Sequence, residues 1–177
     1  MKHSFVTQAP AQWIGVTLTT SIKDGAKDIG PFLERHYVGA YPTVTTTIKL
    51  EEEASGPFLQ RHHEDNTLAK IPNKVNPNRS FSGYTDYTRP VTFENSYLYI
   101  LGSFVTTLDV VPEGMVGGHV PETKYAVFTL KGPADVVVPE FWQELWATEH
   151  DFERAFSFDY ELYDSATDDI KVYISIV

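Results

Sequence analysis

The order strand, helix, strand, strand occurs twice along the chain, and this repetition constrains the fold more than any other feature. The first copy lies within residues 13–106 and the second within residues 125–177. Two such copies predict an α+β fold of duplicated βαββ units related by a pseudo-two-fold axis. In that fold the helices would cover one face of an antiparallel sheet, and the other face, or the seam between the repeats, would form a groove. We expect residues 1–177 to form one domain.

The element boundaries follow from β-branched and aromatic runs for strands and from i, i+3, i+4 apolar spacing for helices. We predict strands over 13–20, 81–87, 97–106, 125–130, 158–163 and 170–176, and helices over 29–38 and 138–148. Asp28 is the expected N-cap of the first helix. The first repeat spans about 10–110 and the second about 120–177. In the alignment of the repeats, Tyr84 matches Tyr160.

The first repeat contains an insertion over about residues 39–80, where the pattern weakens and proline and asparagine are frequent. Within it, residues 43–50 have strand composition. The adjacent pair His62 and His63 is the only metal-like cluster, but neighbouring histidines on a strand point to opposite faces. We therefore predict a solvated loop there, with no metal and no cofactor. Gly114 to Gly118 is predicted to be a mobile connection between the repeats.

The composition excludes several classes of function. The chain has 24 acidic and 14 basic residues, a net charge of -10, and 14% aromatic residues. Such acidity argues against direct nucleic-acid binding and favours cationic ligands. Cysteine is absent, which excludes disulfides and thiolate sites. Residues 1–5 show no apolar h-region, so we expect no secretory signal, and no apolar run approaches the roughly 18 residues that a membrane span needs. We therefore expect a cytoplasmic protein that does not bind membranes.

The strand over 158–163 carries the most reactive combination of side chains. Because strand residues alternate, Asp159, Glu161 and Tyr163 share one face, and the opposite face carries Phe158, Tyr160 and Leu162. The apolar set is expected to pack under a helix, which leaves the acidic set facing the groove. A partly buried Glu161 would have a raised pKa and would suit a cationic ligand or general acid/base chemistry. The alternative is a glutamate on a solvated sheet face.

Aromatic residues surround this strand in the predicted sheet. Trp142 and Trp146 lie one helical turn apart and are typical of a helix core, although Trp142 is also placed to form a pocket wall. Phenol and indole rings around a carboxylate suit planar or cationic molecules. The candidate ligand-binding residues are Glu161, Tyr163, Asp159, Trp142, Tyr84, Tyr99, Tyr125 and Phe128. If the protein is an enzyme, Glu161 and Tyr163 are its candidate catalytic residues.

Several segments resemble the GyrI-like small-molecule-binding family, which includes effector-binding domains of bacterial multidrug-responsive and AraC-type transcription regulators. Residues 120–132 resemble its "P…YAVF…G" strand, and residues 141–146 resemble its helix. Residues 159–164 are similar to its "FE.Y" strand, and residues 171–176 to its closing "YIPI" strand. Residues 82–87 and 97–105 fit its "Y…Y…Y.YLIG..V" pattern. Residues 147–150 depart from the family's "LP.SGY" stretch, so the groove rim differs.

The resemblance implies a duplicated βαββ fold shared with haem-binding SOUL-type proteins and a ligand groove between the repeats. It implies that Glu161 is the acidic centre that meets cationic or planar drugs, with Tyr163 as its partner. The first hypothesis is therefore a standalone bacterial protein that binds cationic or planar aromatic effectors. The second is a GyrI-like hydrolase of reactive electrophilic molecules that uses the same glutamate. The third is an acidic interaction protein that modulates a regulator or DNA gyrase, and a homodimer is compatible with all three.

Overall fold

Eight strands and two long helices make up the described part of the chain. The computed structural model describes residues 1–36, 67–167 and 169–177. The strands are β1 (Ser4–Gln8), β2 (Ala11–Ser21), β3 (Arg79–Thr85), β4 (Ser96–Val105), β5 (Val116–Val120), β6 (Thr123–Lys131), β7 (Phe158–Asp164) and β8 (Asp169–Ile176). The helices are α1 (Ile22–His36) and α2 (Ala134–Ala147), and a one-turn 3-10 helix covers Thr67–Lys70.

The strands form one antiparallel sheet in the order β1-β6-β8-β7-β3-β4-β2-β5. The first repeat contributes β2, α1, β3 and β4, and the second contributes β6, α2, β7 and β8. The two copies meet where β3 pairs with β7, and the order reads the same outward from that pair in both directions. The predicted α+β class, with duplicated βαββ units in an antiparallel sheet, is confirmed.

Two short connections require the sheet to curl. β1 is first in the sheet and β2 is seventh, a separation of about 29 Å in a flat sheet at the usual strand spacing. Only two residues join them, so their ends lie at most about 11 Å apart. The same holds for β5 and β6, which are eighth and second in the sheet and are also joined by two residues. The sheet therefore curls through most of a barrel, with an inner and an outer face.

Both helices lie on the outer face. Phe32 of α1 packs edge-on against Tyr99 of β4, with ring centroids 5.8 Å apart. Phe141 of α2 packs against Phe128 of β6, with centroids 5.0 Å apart. The inner face holds a separate buried cluster that contains no residue of α1 or α2: Trp13, Phe81, Ile100, Val120, Tyr125, Phe158, Tyr160 and Tyr173. Both faces of the central strands are therefore buried.

The expectation that Phe158, Tyr160 and Leu162 pack under a helix is wrong. These side chains belong to the inner cluster, and the acidic set on the same strand faces the helices. Alternation separates the two faces of a strand, but it does not say which face a helix covers when both are buried. The alignment of Tyr84 with Tyr160 is also wrong, because Tyr84 lies on the outer face of the sheet and Tyr160 on the inner face.

Both helices begin earlier than predicted. α1 begins at Ile22, because Ser21 caps it: its Oγ accepts a hydrogen bond from the backbone N–H of Asp24 at 3.1 Å. The predicted cap, Asp28, lies inside the helix, where its Oδ2 accepts a hydrogen bond from the Thr20 hydroxyl at 2.8 Å. α2 begins at Ala134, which places Pro139 in its second turn.

The predicted mobile connection around Gly114 to Gly118 contains β5, which pairs with β2. Glycine lowers strand propensity, so composition alone did not indicate this strand. Its glycines are required by packing, since a Cβ on Gly118 would lie 2.5 Å from the Trp13 ring. β1, at residues 4–8, was also missed.

Some predictions concern residues outside the described part of the chain, namely the strand composition of residues 43–50 and the loop at His62 and His63. Of the described helices, none combines the length and the apolar character that a membrane span requires.

Substitution at a glycine contact between β2 and β4 tests the packing of the sheet. Gly15 and Gly102 face each other, and a Cβ on Gly102 would lie 2.5 Å from the Ile14 carbonyl oxygen. We expect Gly102→Ala to lower the free energy of unfolding by about 1–3 kcal/mol in urea titrations. Gly30→Ala is the control, because nothing lies within 4 Å of its Cβ position in α1. That variant should be stabilised by about 0.5–1 kcal/mol. Equal effects of the two changes would contradict this packing.

Candidate functional site

Glu161 lies at the centre of the sheet, where the two repeats meet. It is on β7, paired with Ser82 of β3 on one side and Val172 of β8 on the other. Its side chain faces the helices and is 2% exposed. A carboxyl group so deeply buried is uncommon unless it is paired or hydrogen-bonded. The groups around it therefore decide what it does.

Three neutral donors bind the Glu161 carboxyl group. The Tyr84 hydroxyl donates to Oε1 at 2.6 Å, and the Trp142 indole N–H donates to the same oxygen at 2.5 Å. The Tyr163 hydroxyl donates to Oε2 at 2.5 Å. Among the described residues, no basic side chain forms an ion pair with Glu161. Within the described part of the chain, the site thus offers a buried acid with three hydrogen-bond donors and no ion-pair partner.

Burial raises the pKa of Glu161, and the three hydrogen bonds oppose that shift without cancelling it. Burial also raises the pKa of Tyr84 well above its usual value, and the Glu161 charge adds to that shift. The pKa of Tyr97 is raised to about 12, by burial first and by Glu161 second. These phenols therefore stay protonated near neutral pH and remain donors. A cation placed beside Glu161 would favour its ionised form.

Four of the predicted ligand-binding residues come together here: Glu161, Tyr163, Tyr84 and Trp142. The Tyr84 and Trp142 rings meet edge to face, with centroids 4.8 Å apart. Tyr99 stands behind Tyr84 at 5.4 Å between centroids, and its hydroxyl donates to Ser82 Oγ. The rings of Tyr84, Trp142 and Tyr163 thus lie beside the buried carboxyl group.

The other three predicted residues lie elsewhere. Phe128 packs under α2 against Phe141. Tyr125 lies in the inner cluster, on the opposite face of the sheet from Glu161. Asp159 is fully buried but already paired: Arg154 Nη2 lies 2.8 Å from its Oδ2, and the Ser175 N–H and hydroxyl both donate to its Oδ1.

Arg154 is a buried cation that sequence reasoning missed. Its Cζ atom lies 4.2 Å from the ring centroid of Phe156, 4.5 Å from that of Trp146 and 5.9 Å from that of Trp142. Such distances are typical of cation–π contacts. In the sequence it stands among exposed charges just after α2, and no spacing or motif marks it. Tyr87, which donates to Asp159, was recognised only as a strand aromatic.

No group of three or more metal-ligating side chains occurs within residues 1–36, 67–167 and 169–177. The described site around Glu161 consists of a carboxyl group, hydroxyls and aromatic rings.

Removal of the Arg154 cation tests whether the ion pair between Arg154 and Asp159 stabilises the fold. Arg154→Met leaves the buried Asp159 carboxylate without its cation, and we expect the free energy of unfolding to fall by about 3–5 kcal/mol. Adding Asp159→Asn should restore much of that loss. The control is Lys23→Met at the exposed pair with Glu94, which should cost less than about 1 kcal/mol. Urea unfolding measures the stability of the wild type and the three variants. An Arg154→Met variant as stable as the wild type would contradict a structural role for the ion pair.

The pH dependence of stability reports on Glu161. Its pKa is raised in the folded state, so folding favours the protonated form. The stability that this provides is complete below the ordinary pKa of 4.5 and is lost as pH rises toward the folded-state pKa. We therefore expect the free energy of unfolding of the wild type, relative to Glu161→Gln, to fall with rising pH above 4.5. Urea titrations across pH 4 to 8 measure this difference, and parallel profiles would disprove it.

Comparison with known proteins shows the family and the fold of the chain. The family profile Cass2, described as integron-associated effector binding protein, matches residues 33–176. The YobU protein of Bacillus subtilis (strain 168), which carries the name of a transcriptional regulator protein, is 35% identical over 69 residues. That match covers 38% of this chain and 43% of YobU, so the chain aligns with less than half of that relative.

Two solved structures share the fold. The integron cassette protein VCH_CASS2, from the mobile metagenome of Vibrio cholerae, superposes with a TM-score of 0.65 at 19% identity, over 99% of this chain and 95% of that one. SAV2435, solved with tetraphenylphosphonium bound, superposes with a TM-score of 0.62 at 13% identity, over 100% and 94%. The profile match covers most of the chain, and the resemblance drawn from its motifs is confirmed. The chain belongs to the Cass2 family of integron-associated effector binding proteins, within the GyrI-like group.

Proposed function

We propose that this protein binds an organic cation with aromatic groups, and that Glu161 supplies the counter-charge. The observation that carries the proposal is a buried carboxyl group with three neutral donors and, among the described residues, no ion-pair partner. Such a group is costly to ionise alone, and a ligand cation removes that cost. Membership of an effector-binding family supports small-molecule binding in general. The fold neighbour SAV2435, solved with the cation tetraphenylphosphonium, supports the charge of the ligand.

The rings beside Glu161 supply the rest of the site. Tyr84 and Trp142 present aromatic surface next to the carboxyl group, and their polar atoms are already held by Glu161. Cations are attracted to the faces of such rings, and the attraction is stronger where water is excluded. The Arg154 guanidinium already lies close to the rings of Trp146 and Phe156, at 4.5 and 4.2 Å, and farther from the ring of Trp142, at 5.9 Å. A ligand cation therefore fits better beside Glu161 than beside Asp159, whose charge Arg154 balances.

Ligand entry requires a movement, because Glu161 is 2% exposed. The helix that covers it is suited to move. Pro133 at the N-cap of α2 provides no side-chain hydrogen bond, and Pro139 removes a backbone donor within the helix. Displacement of α2 would carry Trp142 away from Glu161 and expose the carboxylate to a ligand. The energy for that displacement would come from the new ion pair and ring contacts.

Titration of the full chain with tetraphenylphosphonium tests the proposal. Glu161→Gln should weaken binding at least tenfold, the loss expected for a charged partner in a site shielded from water. Glu140→Gln, on the exposed side of α2, removes the same charge and should leave affinity unchanged. Wild-type affinity should rise with pH through the raised pKa of Glu161, because the cation binds the ionised form. Isothermal titration calorimetry measures these affinities, and equal binding by both variants would refute the role of Glu161.

A hydrolase remains the second candidate, favoured by the same raised pKa. A carboxyl group whose pKa burial has raised is better able to act as a general acid, and the Tyr163 hydroxyl at 2.5 Å can orient a substrate. Turnover of strained electrophilic compounds, lost in Glu161→Gln, would favour this alternative. Tight binding without turnover across such a panel would reject the hydrolase and favour a protein that only binds its ligand.

A further inference from the structure

The inner face of the curled sheet opens into a cavity of about 260 Å³. It lies on the opposite side of the sheet from Glu161, because it is lined by Tyr160 and Leu162, the neighbours of Glu161 on β7 that point inward. Gln8, the last residue of β1, and Ala11, the first residue of β2, also line it. The mouths of barrel-like sheets are common ligand sites, and an eight-stranded barrel has room for one small ligand.

Four aromatic rings form part of the wall of this cavity. Phe81 and Phe104 stack with centroids 4.6 Å apart and an angle of 25° between their planes. Tyr160 and Tyr173 stack at 4.4 Å with an angle of 4°. Phe104 meets Tyr160 edge to face at 5.4 Å, which joins the two stacks into one wall. Parallel and edge-on rings of this kind receive another planar aromatic group by stacking.

One charge stands at the rim, and it is positive. Among the described residues that line the cavity, Arg79 is the only charged side chain. Its Nε donates to Asp164 at 2.7 Å, and its side chain is 50% exposed. A guanidinium has five N–H donors in a planar fork, so one bond to Asp164 leaves donors for a second carboxylate. The nearby polar groups of Asn76 and Ser80 are neutral.

We propose that this cavity, the inner-face pocket, is a second ligand site that takes a small planar aromatic carboxylate. The ring system would lie against Phe104 and Tyr173, which are the least buried of the four wall rings, and the carboxylate would bind Arg79. Its volume is near the lower end for ligand sites, which limits the occupant to about two fused rings. This site prefers the opposite ligand charge to that expected at Glu161, and it is independent of that proposal.

Binding of 2-naphthoate to the full chain tests the inner-face pocket, with 2-naphthamide as the uncharged ligand of the same shape. Calorimetry should show that wild type binds the carboxylate more tightly than the amide. Arg79→Gln should weaken 2-naphthoate about tenfold or more and leave 2-naphthamide unchanged. Asp164→Asn, which removes the competing carboxylate, should strengthen 2-naphthoate. Glu161→Gln should leave 2-naphthoate binding unchanged, whatever it does to tetraphenylphosphonium.

A second rim variant guards against misfolding of Arg79→Gln. Asn76→Asp preserves the side-chain oxygen that accepts the Asn78 N–H at 2.9 Å, and it adds a negative charge beside the pocket. It should weaken 2-naphthoate and not 2-naphthamide. The proposal is overturned if wild type does not bind 2-naphthoate, if the amide binds equally well, or if neither rim variant changes the preference for the carboxylate.

Discussion

The pairing of β3 with β7 is the contact on which the rest of the structure depends. It joins the two repeats, and its register sets Ser82 opposite Glu161 and Tyr84 opposite Asp159 on the helix side. The same register sets Phe81 opposite Leu162 and Gly83 opposite Tyr160 on the inner side. A shift of one residue would exchange these faces and place the acids among the inner aromatic rings. The seam between the repeats is therefore where both candidate sites are assembled.

Two buried acids two residues apart illustrate how a protein can use the same group in different ways. Asp159 and Glu161 are 0% and 2% exposed. Asp159 is balanced by Arg154 and by two donors from Ser175, which is the arrangement of a structural ion pair. Glu161 has only neutral donors among the described residues, so its charge is stabilised but not balanced. That difference, rather than burial alone, separates the candidate binding acid from the structural one.

Much of the fold follows from patterns that the sequence displays. The repeated βαββ order, six strands and both helices were predictable, because each depends on local periodicity and composition. The grouping of Glu161 with Tyr163, Tyr84 and Trp142 was also predictable, from alternation and the family motifs. Arg154 was not, because its ring contacts arise from tertiary packing that no spacing encodes. The identity of the helix side was not predictable either, since Tyr160 and Glu161 are equally buried on opposite faces.

The net charge of -10 has little to do with how either site selects a ligand. Exposed charges are screened over about 8–10 Å at physiological salt, so the scattered surface acids affect approach and solubility more than recognition. A buried charge keeps its strength, because the surrounding protein screens it far less than water does. In the two proposed sites, a ligand cation would meet the buried Glu161, whereas the half-exposed Arg79 would select a carboxylate by the geometry of its donors as well as by its charge. Since β7 supplies Glu161 to one side and Tyr160 to the other, an occupant of either site would contact the same strand.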